Sequence, residues 1–315
     1  MNVFSFSNPV SGPLYIVATV PAFDDGVGER LAGYTLSLDG DIGVNFYMEL
    51  APAIAQSETA VMHFTIPNGN KTNEIDVPVS KATVSGKYHI FKCNVAAKEM
   101  TSVIKAQIID GETTGTEYTY SVKEYADYLL TNANLKGTEL EQAYAEASDL
   151  VVAMLNYGAN AQLYFTPDTD PDDLANSGRE TVLSGVTAQT INKSTYTNEL
   201  NDVAEFSGAT LSLKTQTTLS LYFTSDVDLT FNCAHEFEVE KKSGYQIIRI
   251  RNIHAKNLMD DFTVTVTAGE NTGSVTYSPM NYCYNVLSDE TQPEALQNAC
   301  RALYLYAKAA DVYFD

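Results

Sequence analysis

Two stretches of this chain repeat each other at the spacing of a whole domain. Gly33-Tyr34-Thr35-Leu36-Ser37-Leu38 opens one stretch and Gly208-Ala209-Thr210-Leu211-Ser212-Leu213 opens the other. The first closes on Gln162-Leu163-Tyr164-Phe165, the second on Asp311-Val312-Tyr313-Phe314. Such a repeat restricts the fold to two similar units, because each must bury its own apolar face. A chain of 315 residues has room for two such cores. Catalytic centres usually occur once in a chain, whereas binding and spacer modules are often repeated.

After Gly33 the apolar residues alternate. Leu36, Leu38, Ile42, Val44 and Phe46 are interrupted only by Asp39-Gly40-Asp41, the signature of a strand, a turn and a second strand. Residues 61–66, 74–79, 88–95 and 103–109 continue as short strands. Pro67-Asn68-Gly69, Ser85-Gly86 and Asp110-Gly111 separate them. The second copy alternates at Leu211, Leu213, Leu219, Leu221 and Phe223. It continues through 229–231, 237–239, 245–250 and 262–266. Many short strands between regular turns predict antiparallel sheets packed as a sandwich. Two further strands are expected, one at Leu14-Tyr15-Ile16-Val17 and its counterpart at 187–191.

The period then changes to that of a helix. Ser121-Val122-Lys123-Glu124 has the spacing of a capping box, and Ser278-Pro279 places an N-cap before a proline at the first helical position. A short helix is predicted after each, followed by a long one. The first long helix carries Ala147, Val151, Met154, Gly158, Ala161 and Phe165 on one stripe. The second carries Leu296, Cys300, Leu303, Ala307, Ala310 and Phe314 at the same steps. The expected fold is therefore α+β: two tandem copies of an antiparallel β-sandwich-like domain, each closed by a C-terminal two-helix hairpin. The first module spans 1–166, with a leading segment 1–32, strands over 33–120 and the hairpin at 121–166. An Asp- and Pro-rich linker covers 167–178. The second module spans 179–315, with strands to 277 and the hairpin at 278–315.

Forty acidic against nineteen basic residues give a net charge of −21. Nucleic acid and anionic membrane surfaces need clustered Lys and Arg, so neither is an expected partner. No apolar run is long enough to span a membrane. The first residues lack a basic and apolar leader. This predicts either a cytosolic chain or a mature or excised piece of an exported one.

Few residues offer themselves for chemistry. Asp168, Asp170 and Asp172 occupy positions one, three and five of a calcium loop, but Asp173 stands where glycine belongs and Arg179 where glutamate belongs. A calcium site and a solvated linker are the two readings. His63, His89, His235 and His254 show no metal-ligand spacing, and no nucleophile elbow, phosphate loop or dinucleotide fingerprint occurs. No catalytic residue is assigned. Cys283 and Cys300 fall on the inner faces of the second hairpin, where the first has Ala126 and Val151. They form a disulfide if their Cα atoms lie about 5.5 Å apart, and otherwise pack as free thiols. Cys93 and Cys233 are expected to be free. Thirteen of the twenty tyrosines lie in or just before the hairpins, at matched places such as Tyr157 with Tyr306. This favours a role in packing, with a Tyr-lined groove as the functional alternative.

The segments Tyr120-Ser121-Val122-Lys123-Glu124-Tyr125-Ala126, Met154-Leu155-Asn156-Tyr157-Gly158-Ala159, Met280-Asn281-Tyr282-Cys283-Tyr284 and Ala302-Leu303-Tyr304-Leu305-Tyr306 carry a resemblance. The chain resembles a tandem β-sheet and helical-hairpin module found in large secreted or cell-surface proteins of anaerobic Gram-positive gut bacteria. The resemblance covers most of residues 33–315 and brings no catalytic residues with it. It implies an extracellular or cell-surface setting, an excised fragment of a larger parent, and other domains of that parent as partners. The expected function is a non-catalytic adhesion, ligand-binding or spacer module, with a glycan or a host protein as ligand. A glycan hydrolase built on an acidic pair is the enzymatic alternative, and a calcium-stiffened rod the structural one.

Overall fold

The computed structural model describes residues 28–37, 40–68, 71–132, 141–193, 196–242 and 244–314. The leading strand expected at 14–17 lies outside them, as does part of the Asp39-Gly40-Asp41 turn. The fold is α+β, with four antiparallel sheets and six α-helices among the described residues. It divides into two compact units. Apart from two short loops near Asp41 and Ala97, residues up to Val151 form the first and residues from Val152 the second.

In the first unit the strands are β1 (Glu29–Ser37), β2 (Gly43–Leu50), β3 (Val61–Asn68), β4 (Lys71–Pro78), β5 (Thr83–Ser85), β6 (Tyr88–Asn94), β7 (Ile104–Asp110), β8 (Thr113–Thr114) and β9 (Tyr118–Tyr120). A one-turn helix, α1 (Pro52–Ala55), lies between β2 and β3. One sheet has the order β1-β2-β6-β5, and the other runs β4-β3-β7-β8 with β9 also on β7. Alternation explains the core. Val44, Phe46 and Met48 of β2 face Met62, Phe64 and Ile66 of β3, all almost fully buried, and the rings of Phe46 and Phe64 lie 5.4 Å apart. β1 starts at Glu29, earlier than the repeat suggested, and a bulge between Leu31 and Gly33 shifts its register. The helices α2 (Val122–Asn132) and α3 (Glu141–Phe165) follow. The Glu124 amide donates to Ser121 Oγ at 3.1 Å, the forward half of the expected capping box. The Tyr144 hydroxyl donates to the Leu129 carbonyl at 3.3 Å and ties α3 to α2.

The second unit begins in the C-terminal half of α3. Its further elements are α4 (Ala188–Ile191), β10 (Thr197–Glu199), β11 (Glu205–Leu213), β12 (Thr217–Thr224), β13 (Thr230–Cys233), β14 (Phe237–Lys242), β15 (Tyr245–Ile250), β16 (Phe262–Ala268), β17 (Asn271–Tyr277), α5 (Pro279–Ser288) and α6 (Glu294–Phe314). The sheets run β11-β12-β15-β14 and β10-β17-β16-β13. Phe223 and Phe231 meet across them at 5.3 Å. The strand expected over 187–191 is instead α4. Thr187 Oγ1 accepts from the Thr190 amide while the Thr190 hydroxyl answers the Thr187 amide, and that box closes a helical turn. Ala188 and Ile191 are then buried three residues apart, a spacing that a strand would have put on opposite faces.

The acidic connector is not a free tether. Asn156 on α3 holds the Arg179 carbonyl through Nδ2 at 2.9 Å. Its Oδ1 accepts from Asn176 Nδ2 and the Thr181 amide, both at 2.8 Å. Gln162 Oε1 accepts from the Ala175 amide at 2.9 Å, and Ala175 is fully buried. The prolines and aspartates suggested a solvated spacer because these amides contribute only once the chain has folded back on α3.

At the head of α5 the Ser278 side chain, wholly buried, accepts from the Asn281 amide at 3.1 Å, and Asn281 Oδ1 accepts from the Ser278 amide at 2.9 Å. Replacing Ser278 with Ala is expected to lower stability by about 1–2 kcal/mol, measured by urea unfolding. An unchanged midpoint would show that the cap is dispensable.

Candidate functional site

A groove of about 390 Å³ opens in the second unit where β11, β17 and α5 converge. This volume lies at the small end of the range usual for ligand sites, roughly 300–1,000 Å³. Tyr196, Phe206, Tyr277 and Tyr282 supply rings, and Asn285, Asp289 and Gln292 supply polar groups at the mouth. Tyr277 sits deepest, 3% exposed, with Tyr196 at 5.4 Å and Phe206 at 5.8 Å between ring centres, while Tyr196 remains 40% exposed.

Local structure explains why these side chains meet. β11 bulges between Phe206 and Gly208, and Gly208 sits at φ +138°, a conformation that favours glycine. Nothing lies within 4 Å of where its Cβ would be, so the strand presents bare backbone and the small Ala209 to the groove. The buried cap at Ser278 starts α5 directly after Tyr277. This puts Tyr282, Asn285, Val286 and Asp289 on one face at helical spacing.

The first unit has a similar local pattern with larger side chains. Gly33 lies opposite Tyr47 just after its bulge, as Gly208 lies opposite Tyr222. The next residue is Tyr34 in one case and Ala209 in the other. Tyr34 lies flat on Tyr120, with ring centres 4.0 Å apart and planes 3° from parallel. Tyr120 precedes the cap Ser121 as Tyr277 precedes Ser278. Seven residues after each cap the first unit has Tyr128 and the second has Asn285. At the registers where the first unit has Tyr34 and Tyr128, the second has Ala209 and Asn285, and both of these line the groove.

Asn285 Nδ2 donates to the Tyr277 hydroxyl at 2.9 Å, which leaves its carbonyl oxygen as an acceptor for another group. The Thr291 hydroxyl and Gln292 amide bond Asp289 at 2.6 and 2.8 Å and hold its carboxyl below the usual range, so the rim stays negative. No Lys or Arg lines the groove among the described residues. Burial pushes the phenols of Tyr277 and Tyr282 up to about 12, so both are neutral donors at physiological pH.

The residues singled out from sequence fall elsewhere. Asp170 caps a single 3-10 turn over Pro171–Asp173, its Oδ1 accepting from the Asp172 amide at 3.0 Å. Asp168, Asp170 and Asp172 are not brought together as ligands. No group of three His, Cys, Asp or Glu residues suited to a metal occurs among the described residues. Cys283 and Cys300 are brought together as neighbouring free thiols, both buried where α5 packs against α6. Cys93 and Cys233 are free as well. Tyr157 and Tyr306 are stacked on each other, 5.7 Å between centres and 13° between planes.

One constellation escaped the sequence because its parts come from neighbouring strands. His63 Nδ1 meets Asp76 Oδ1 at 2.7 Å and His63 Nε2 meets Thr65 Oγ1 at 3.3 Å, on the outer face of β3 and β4. The contact order is that of a hydroxyl–imidazole–carboxylate relay. β3 is paired on both sides, by β4 and β7, so its amides are engaged in the ladders rather than aimed at a developing oxyanion.

No protein-family model matches the chain, and no curated protein matches it. No helix among the described residues is long and apolar enough to cross a membrane.

Burial also raises the phenols of Tyr157 and Tyr306 well above their ordinary value. A group whose folded pKa exceeds its unfolded one contributes stability in full below the unfolded value, about 10 for Tyr, and loses it as pH rises through the folded value. The melting temperature is therefore expected to fall progressively as pH rises above about 10. Tyrosinate absorbance from the buried rings should appear together with unfolding. Full ionisation of all twenty tyrosines near pH 10 in the folded protein would contradict these burials.

Proposed function

We propose that the chain is a pair of tandem modules, each an antiparallel sandwich closed by a two-helix hairpin, and that it serves as a non-catalytic binding part of a larger extracellular or cell-surface protein. Several matched features support the tandem reading. The sheet orders β1-β2-β6-β5 and β11-β12-β15-β14 correspond strand by strand, with the bulge at the same place. Edge-to-face tyrosine pairs recur on the outer faces, Tyr47 with Tyr88 at 6.2 Å and Tyr222 with Tyr245 at 5.8 Å.

The ligand of this reading is a neutral glycan held at the groove of the second module. The observation that carries it is the cavity beside Ala209, at the register where Tyr34 fills the first unit. Aromatic rings at the wall offer apolar faces to sugar C–H groups, while Asp289 and the Asn285 carbonyl accept from hydroxyls. A negative rim without cations disfavours uronic, sulfated or sialylated chains. The space suits about one or two sugar rings.

Ala209→Tyr copies the residue of the first unit and is expected to fill the groove without unfolding the protein. Calorimetric titration with neutral oligosaccharides should show binding to the native chain, a loss of tenfold or more in A209Y, and a loss of about tenfold in Tyr196→Ala. Binding that A209Y leaves intact would place the site elsewhere, and a neutral panel that does not bind would remove the glycan reading.

A further inference from the structure

The cysteine pair of the second hairpin is independent of the groove's ligand. Cys283 on α5 is fully buried and Cys300 on α6 is 3% exposed, and the two side chains are neighbours where these helices pack against each other. The matching places in the first unit are Ala126 and Val151, both fully buried. The two positions differ together: where one hairpin has two inert apolar residues, the other has two neighbouring cysteines. Packing alone needs only one small apolar residue at each place, as Ala126 and Val151 demonstrate.

From this juxtaposition we infer that Cys283 and Cys300 are the halves of a structural disulfide that staples α5 to α6. The reaction is thiol–disulfide exchange with an external disulfide, supplied by an oxidoreductase or a small disulfide such as oxidised glutathione. One cysteine thiolate attacks the external disulfide and expels a thiol, forming a mixed disulfide. The second thiolate attacks the protein sulfur of that mixed disulfide and expels the other thiol. The protein loses two electrons and two protons; the external disulfide takes them up as two thiols. Neither protein sulfur faces solvent once α5 and α6 have packed, so the exchange belongs to folding, while the hairpin is still open. Cys93 is buried in the first unit with its thiol pushed up to about 12, chiefly by burial, and does not compete as a nucleophile in the folded state.

The bond closes a short loop that contains the α5–α6 turn. Asn285 and Val286 of the groove lie on the stapled helix and Asp289 just past its end, all within that loop. Constraining a loop of this length in the unfolded chain should raise the melting temperature by roughly 5–10 °C.

The test uses the full chain refolded in a mixture of reduced and oxidised glutathione, then alkylated in denaturant without reduction. The expected result is a mass 2 Da below that of the reduced chain before alkylation, alkylation at Cys93 and Cys233 only, and a linked Cys283–Cys300 peptide. Alkylation of all four cysteines, or a link between any other two, overturns the proposal. The double variant Cys283→Ala, Cys300→Val carries the residues of the first unit. It should fold and lose the difference in melting temperature that a reductant causes in the native chain. The mass and peptide readouts on the native chain stand whether or not the variant folds.

Discussion

The buried cap between β17 and α5 is the contact on which the second unit's arrangement turns. A helix that starts inside a protein has amide groups that water cannot reach, and each must find a partner or cost free energy. Ser278 and Asn281 satisfy one another's amides, and Asn281 Nδ2 also donates to the Lys193 carbonyl, which anchors the chain ahead of β10. That sets the start of α5 to within a residue. With the start set, Cys283 faces Cys300 and Tyr282, Asn285 and Asp289 face β11. A start one residue later would turn the helix by about 100° and scatter these side chains.

A similar logic runs through the connector. The chain carries a net charge of −21, and a stretch with several aspartates would stay solvated if nothing held it. Asn156 and Gln162, polar residues buried on α3, hold it by hydrogen bonds to the backbone around Ala175 and Arg179. The aspartates remain in water, while Ala175 and Asn176 are buried. Here buried amides specify where a loop lies, a task for which apolar packing has no direction.

The candidate site lies where small side chains meet an aromatic cluster. Both units contain a bulged strand (β1 and β11), a tyrosine just before a serine cap and a tyrosine four residues after it. Tyr34 completes that aromatic cluster in the first unit by stacking on Tyr120. Ala209 in the second does not reach, and Tyr196 with Phe206 approaches Tyr277 at an angle that leaves a gap. A cavity next to rings that remain in place is better preorganised than one made by a mobile loop, because the wall is held by the core behind it.

The sequence by itself determined the class of structure. The alternation of Val44, Phe46 and Met48, the caps at Ser121 and Ser278, and the helix stripes are local patterns, and local patterns follow from backbone period and capping chemistry. It misled where a short segment had two solutions: residues 187–191 read as a strand, yet a threonine capping box makes them helical. The stripe also overran, since Phe165 at its end is 46% exposed once α3 leaves the core. The Asp76–His63–Thr65 relay was hidden because strand pairing joins residues 13 apart. Only the tertiary structure decided that Tyr34 stacks on Tyr120 while Ala209 leaves a groove, that the acidic connector docks on Asn156, and that Cys283 of α5 is buried beside Cys300 of α6. Each depends on which side chain arrives from a distant element to fill a given space, and no periodicity along the chain records that.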